Sequence, residues 1–262
     1  MKIILVPCDF SPTTEKAVKF AIDLADKGDR LILLNIINDN GTSKKIAQDL
    51  KEVETKFKKL IDLQLPKGIS VCSKTMPGKF ISSILKLIAN EKIDLVVMGT
   101  QGSKGWGEFF MGSNIEKVVR TSPVPVFAVK GFADFDSINN IIFPCNLNLD
   151  QPEILQKVKE LQKRFHSRLH LLRVNTGKSF NDIKIIENLE EYARHYQLSD
   201  YSVAVINNTS IKDGILHFAR EISADMIAMI THGKRDLHRM FTESTAADIV
   251  NHSRILVWTC TS

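Results

Sequence analysis

Residues Gly99 to Ser113 read GTQGSKGWGEFFMGS, with glycines spaced as Gly99-x2-Gly102-x9-Gly112-Ser113. A backbone N–H can approach a phosphate oxygen closely only where no Cβ intervenes, so glycines belong at such contacts. Gly112-Ser113 stands at the expected start of a helix, where unpaired N–H groups and the positive end of the dipole attract an anion. The Ser113 hydroxyl could bond a phosphate or help hold a metal ion. A plainer alternative exists, because Ser113-x-x-Glu116 is also a capping box. The full spacing, placed after an apolar run (Asp94-Leu-Val-Val-Met98), favours a phosphate loop serving ATP or a similar nucleotide.

Other chemistry-bearing residues are scattered. Asp9 follows the apolar run Lys2 to Val6, and its alternative is a helix-start acid. His232 and His238, with Asp236 or Cys260, suggest metal ligation, but their spacing matches no compact zinc pattern. Cys8 and Cys145 suit small buried residues better than redox sensors. Lys104 in the loop reads as a solvated lysine. Trp106, Phe109 and Phe110 read as packing residues rather than base-stacking ones.

The elements that must position these residues alternate strand and helix. Lys2 to Val6, Leu31 to Ile37, Ile69 to Ser73, Asp94 to Met98 and Val124 to Val129 read as strands, the continuous apolar ones buried on both faces. Between them, Ser11 caps a helix opening on Pro12, with Ala17, Phe20, Ala21, Leu24 and Ala25 as its stripe and Gly28 as its stop. Further helices are expected over 43–63, 80–89 and 113–120. Such alternation implies right-handed crossovers and a parallel sheet, with ligands bound beyond the carboxyl ends of the strands. Asp9 and the glycine loop both fall at those ends.

The second half repeats the first. Asn140-Ile-Ile-Phe-Pro-Cys-Asn146 echoes Ile3-Ile-Leu-Val-Pro-Cys-Asp9, and Leu169 to Asn175 echoes Leu31 to Ile37. Asp225-Met-Ile-Ala-Met-Ile-Thr-His-Gly233 echoes Asp94 to Gly102. The offset falls from 137 (Pro7 to Pro144) to 131 (Gly102 to Gly233), so the second copy is about six residues shorter, around its second helix. The expected domains are 1–133 and 138–262. In the second copy Ile230 replaces Gly99, Glu243 replaces Gly112 and Asn146 replaces Asp9, while Gly233 and Ser244 survive. A branched side chain and a carboxylate both oppose phosphate, so this domain is expected not to bind ATP in the usual way.

The 262 residues suit two domains, with 44% hydrophobic and 25% charged content typical of a globular chain. A formal charge of +5, with acids and bases interleaved, points away from a nucleic-acid surface. Four dispersed cysteines argue against a disulfide framework and suit a reducing compartment. The opening MKIILVPCDFSP lacks the length of a signal peptide, and no later segment approaches a membrane span, so the cytoplasm is expected.

The glycine spacing after the fourth strand, the opening ILVPCDFSP, the LLNII strand and the closing SPVPVFAV resemble the universal stress protein family, in tandem. The resemblance implies two doubly wound α/β domains, each a five-stranded parallel sheet flanked by helices, of the adenine nucleotide alpha hydrolase-like kind. It implies ATP, or ADP or AMP, with Mg²⁺ in the N-terminal domain. Gly99, Gly102, Gly112 and Ser113 would hold phosphates, Asp9 would meet the ribose or metal region, and the Ile36 backbone would meet the adenine. It also implies an intramolecular pseudo-dimer through the fifth strands, Val124–Val129 against Ile255–Trp258, with a further homodimer left open. Two other functions stand beside nucleotide binding: a slow ATPase or adenylyl-transferring enzyme, for which no general base is evident, and an interaction scaffold without nucleotide. The glycine fingerprint of a dehydrogenase is absent after the first strand, as is the GKS/T of a P-loop.

Overall fold

The computed structural model describes residues 1–37, 43–61, 68–100, 111–130, 135–147, 149, 151–177, 182–231 and 243–261 (backbone only at 43–49, 111–113 and 243). The chain divides into two compact units, Met1–Phe132 and Ala133–Ser262. The first runs β1 (Ile3–Pro7), α1 (Pro12–Leu24), β2 (Arg30–Ile37), α2 (Ser43–Ile61), β3 (Ser70–Pro77), α3 (Phe80–Glu91), β4 (Leu95–Gly99), α4 (Met111–Thr121) and β5 (Val126–Val129). The second repeats it as β6 (Asn140–Pro144), α5 (Pro152–Phe165), β7 (Arg168–Asn175), α6 (Asp182–His195), β8 (Tyr201–Asn207), α7 (Ile211–Glu221), β9 (Met226–Thr231), α8 (Glu243–His252) and β10 (Leu256–Thr261).

In the first unit the strands lie in the order β3-β2-β1-β4-β5, all parallel. The second has the matching order β8-β7-β6-β9-β10. Leu5, Val6, Leu31, Ile32, Leu33, Val96 and Val97 are fully buried, as strands covered by helices on both faces require. The chain steps outward from β1 through β2 to β3, then returns to the other side of β1 for β4. That reversal places the switch point of each sheet between its first and fourth strands.

Several boundaries differ from those expected. Helix α1 ends at Leu24, with Ala25 extended, rather than at Gly28. Gly28 serves the next turn instead, at φ +95°, donating its N–H to the Gly68 carbonyl at 2.7 Å. Strand β3 runs four residues beyond Ser73, because its weakly apolar end pairs along the whole of β2. Lys92, in the left-handed conformation, caps α3 two residues later than expected. The shortening of the repeat lies between the second and third strands, where α2 has 19 residues and α6 has 14.

Some positions recur for structural reasons. Asp94 accepts the Ile3 N–H, and its counterpart Asp225 accepts those of Asn139 and Asn140, fixing the start of β1 and of β6. Phe10 and Leu147, the third residues after Pro7 and Pro144, both carry positive φ, so the strand-to-helix turn is the same in both units.

Candidate functional site

The first-unit site begins where β1 ends. Ser11 caps α1 by accepting from the Thr14 N–H, and Pro12 supplies the preset first helical residue. The Asp9 carboxylate joins that cap. Its Oδ1 accepts from Ser11 N–H at 3.0 Å, Ser11 Oγ at 2.6 Å and Thr14 Oγ1 at 2.5 Å. Burial alone would raise the Asp9 pKa, but the bonds from Ser11 and Thr14 outweigh it and hold the carboxyl below its ordinary value. These three donors all fall on Oδ1.

Backbone alternation makes the end of β2 the second component. In a parallel ladder a residue's N–H and C=O point to the same neighbour, and successive residues alternate. Arg30 N–H donates to the Lys2 carbonyl at 2.9 Å and Cys8 N–H donates to the Leu34 carbonyl at 2.7 Å, so the even residues of β2 face β1. The odd residues face β3, as the bonds from Ser70 N–H to Asp29 and from Gly78 N–H to Ile37 show, at 3.0 and 3.1 Å. Ile36 therefore points its N–H and C=O towards β1, one step past the last pair, Pro7 with Leu34. No bond joins Ile36 N–H to the Cys8 carbonyl, the acceptor that a longer ladder would use. The Asn35 amide occupies that carbonyl, Nδ2 to O at 2.8 Å.

Gly99 closes β4 and has a structural duty of its own. A Cβ there would stand 2.1 Å from the Thr13 carbonyl oxygen and 2.5 Å from its carbon. The glycine thus lets the first turn of α1 pack against the end of β4, and the same contact brings Asp9 to the crevice. Thr100, directly after it, is buried with its Oγ1 lacking a hydrogen-bond partner. Asn35 Oδ1 is likewise buried without a partner. Both polar atoms lie at the carboxyl end of the sheet, where a ligand would supply what they lack.

The glycine segment is partly described. Gly102, Lys104, Trp106, Phe109 and Phe110 lie outside the described residues. Helix α4 starts at Met111, earlier than expected, so Gly112 and Ser113 belong to its first turn. The first four N–H groups of a helix have no acceptor within it, and here they are those of Met111, Gly112, Ser113 and Asn114. Ser113 is already helical, so it does not stand at the N-cap position that the alternative reading, a capping box with Glu116, requires. Glu116 bonds Arg120 instead, at 2.7 Å.

In the second unit the equivalent crevice is filled. Phe143, Pro144, Cys145, Asn146, Gln151, Tyr192 and Ile230 line it and leave no room even for a water-sized molecule. Ile230 is 5% exposed and Tyr192 is 2% exposed, so the side chain that replaces Gly99 has become core. Behind them Tyr196 Oη donates to the Leu149 carbonyl at 2.5 Å and accepts from Gln151 N–H at 3.2 Å.

The remaining candidates resolve simply. Cys8 and Cys145 are buried, and burial raises both thiols, Cys145 to about 12. They are neutral core residues at neutral pH. Cys260 is buried beside Lys157 Nζ at 3.6 Å, and His232, Asp236 and His238 lie outside the described residues. Among the described residues no group of three His, Cys, Asp or Glu could hold a metal ion, and no helix is long and apolar enough to cross a membrane. Sequence reasoning missed Asn35, Thr13 and Thr14. A polar Asn inside the run Leu33-Leu-Asn-Ile-Ile37 was the available signal for the first.

Comparison with known proteins matches the model of the Universal stress protein family at residues 1–130 and again at 137–260. A universal stress protein of Methanocaldococcus jannaschii is 28% identical over 139 residues, covering 49% of this chain and 82% of the relative. A second from the same organism is 28% identical over 153 residues, covering 49% of this chain and 94% of the relative. The crystal structure of a universal stress protein from Archaeoglobus fulgidus superposes with a TM-score of 0.71 at 20% identity, covering 99% of this chain and 98% of that one. At that identity the likeness concerns the fold.

Proposed function

Both halves of this chain belong to the universal stress protein family, and on that premise we propose that the N-terminal unit binds ATP, or a related adenine nucleotide, with Mg²⁺. The nucleotide lies beyond the carboxyl ends of β1, β2 and β4. The observation that carries this is the Ile36 backbone, which offers one N–H and one C=O past the end of β1. That pair complements the N1 acceptor and N6 donor of adenine. Asp9 serves the ribose or the metal ion. Gly102, Gly112 and Ser113 serve the phosphates with Gly99, and the first-turn N–H groups of α4 support that role. Bound Mg²⁺ would neutralise phosphate charge.

Binding is proposed rather than turnover, because a carboxylate held below its ordinary pKa is a weak proton acceptor near neutral pH. The C-terminal unit holds no ATP in the usual way, a role supported by Ile230 and Tyr192 filling its crevice. We further propose that the two units pair through β5 and β10, each an edge of its own sheet, and that the chain works in the cytoplasm as a nucleotide-responsive stress protein. Mass spectrometry of gently purified protein tests the ligand. Co-purified ATP, ADP or AMP is expected; an empty protein with only millimolar affinity would favour an interaction scaffold.

A further inference from the structure

The end of a parallel strand pair ordinarily frays one bond at a time, and here one bond has been exchanged. Cys8 N–H still donates to Leu34, which completes the last β1–β2 pair. The next bond of the ladder would run from Ile36 N–H to the Cys8 carbonyl. A side chain has taken that acceptor: Asn35 Nδ2 lies 2.8 Å from Cys8 O. Asn35 Oδ1 remains buried and without a partner. An amide in the middle of Leu33-Leu34-Asn35-Ile36-Ile37 gains nothing from hydrophobic burial, and leaving one end of it unsatisfied is unfavourable. Sheet stability alone would be served better by an apolar residue and a longer ladder.

We infer that Asn35 is a positioning residue for base recognition: by capping the Cys8 carbonyl, its amide keeps the Ile36 N–H free for the ring nitrogen of an adenine. This rests on the adenine-nucleotide reading of the same site and adds to it the residue that sets base preference. Without the Asn35 amide, Cys8 O becomes the natural acceptor for Ile36 N–H, and the ligand must compete with an internal bond. A base with an acceptor at N1 and a donor at position 6 uses the freed N–H and the Ile36 carbonyl together. Hypoxanthine and guanine present the reverse pattern, a donor at N1 and an acceptor at position 6, and are rejected.

The second unit has Arg173 at the position of Asn35, by alignment of β7 with β2, and Cys145 N–H again donates to Leu172.

The test combines amide hydrogen exchange at Ile36 with titrations of ATP and inosine triphosphate, on the full chain and on Asn35→Leu. Asn35→Ser serves as a second variant, too short to reach Cys8 O, should the first fail to fold. In the unliganded wild type Ile36 is expected to exchange fast, and to slow when ATP is added. In the variants it should exchange roughly tenfold more slowly without ligand, the worth of one hydrogen bond. ATP binding should weaken about as much, while inosine triphosphate binding stays unchanged, so base discrimination shrinks. An Ile36 amide already protected in the unliganded wild type, or variants that keep both exchange rate and discrimination, would overturn the role of Asn35 while leaving ATP binding intact. A wild type that binds no nucleotide would overturn the site itself, and the exchange data without ligand would still report separately on the Cys8 contact.

Discussion

Replacing Gly99 with alanine separates packing from ligand chemistry at the glycine loop. The added Cβ would meet Thr13 O at 2.1 Å and Thr13 C at 2.5 Å, with Thr14 N at 3.0 Å. All three are backbone atoms, so no flexible side chain can swing away. Ordinary contact begins at 3.4 Å, and the first turn of α1 must therefore retreat by about 1.3 Å. That turn also holds Ser11 and Thr14 against Asp9 Oδ1, at 2.6 and 2.5 Å, so the retreat stretches the cap as well. Overpacking of this kind costs about 1–3 kcal/mol, and loss of a capping bond about 1 kcal/mol more. The expected sum of about 3 kcal/mol lowers the melting temperature of a unit this size by roughly 10 °C. Differential scanning calorimetry reads the shift, and saturating ATP should leave most of it in place because the defect is packing. A Gly99→Ala protein melting within about 1 °C of wild type would refute the reasoning, since the approach of α1 to β4 would then be looser than described.

Other expectations follow from the same contacts. Ser11→Ala removes the side-chain acceptor for Thr14 N–H and a donor to Asp9, and should destabilise the first unit by about 1 kcal/mol in urea titrations. His170, bonded to Ser202 and Asn140, is held below its ordinary 6.5 mainly by burial, then by Arg168. Its folded pKa is depressed, so its contribution is present above pH 6.5 and lost as pH falls through the folded value. The urea midpoint of the second unit should therefore drop on acidification, less steeply in His170→Gln. Of the four thiols, Cys72 is half-buried beside Arg30 while Cys8, Cys145 and Cys260 are buried. Cys72 should accordingly be the first to react with a maleimide under native conditions, as peptide mapping would read.

The order of elements was legible because it depends on local pattern. Apolar runs of five to eight residues alternating with helical stripes leave few alternatives to a parallel sheet, and the repeat showed the pattern twice. The boundaries moved where local cap conformation or strand pairing overrode the pattern. Strand β3 was extended by pairing with β2 rather than by its own composition, and α1 ends at Leu24 because Ala25 turns extended, four residues before Gly28. At the site, chain order alone put Asp9 at a strand end, whereas Ile36 was named only through the family resemblance. The packing duty of Gly99 was not visible, because Thr13 is far away in sequence and only the fold brings their backbones together. Asn35 was passed over for a related reason: its meaning depends on which carbonyl its amide reaches, and that carbonyl belongs to another strand.

Isothermal titration of the full chain with ATP and Mg²⁺, repeated on Gly112→Glu, tests the central claim most directly. Glu243 occupies the Gly112 position of the second unit, so the substitution gives the first unit the second unit's own residue. One ATP per chain is predicted for the wild type, with binding lost in the variant. Two ATP per chain, or one that survives Gly112→Glu unchanged, would contradict the account.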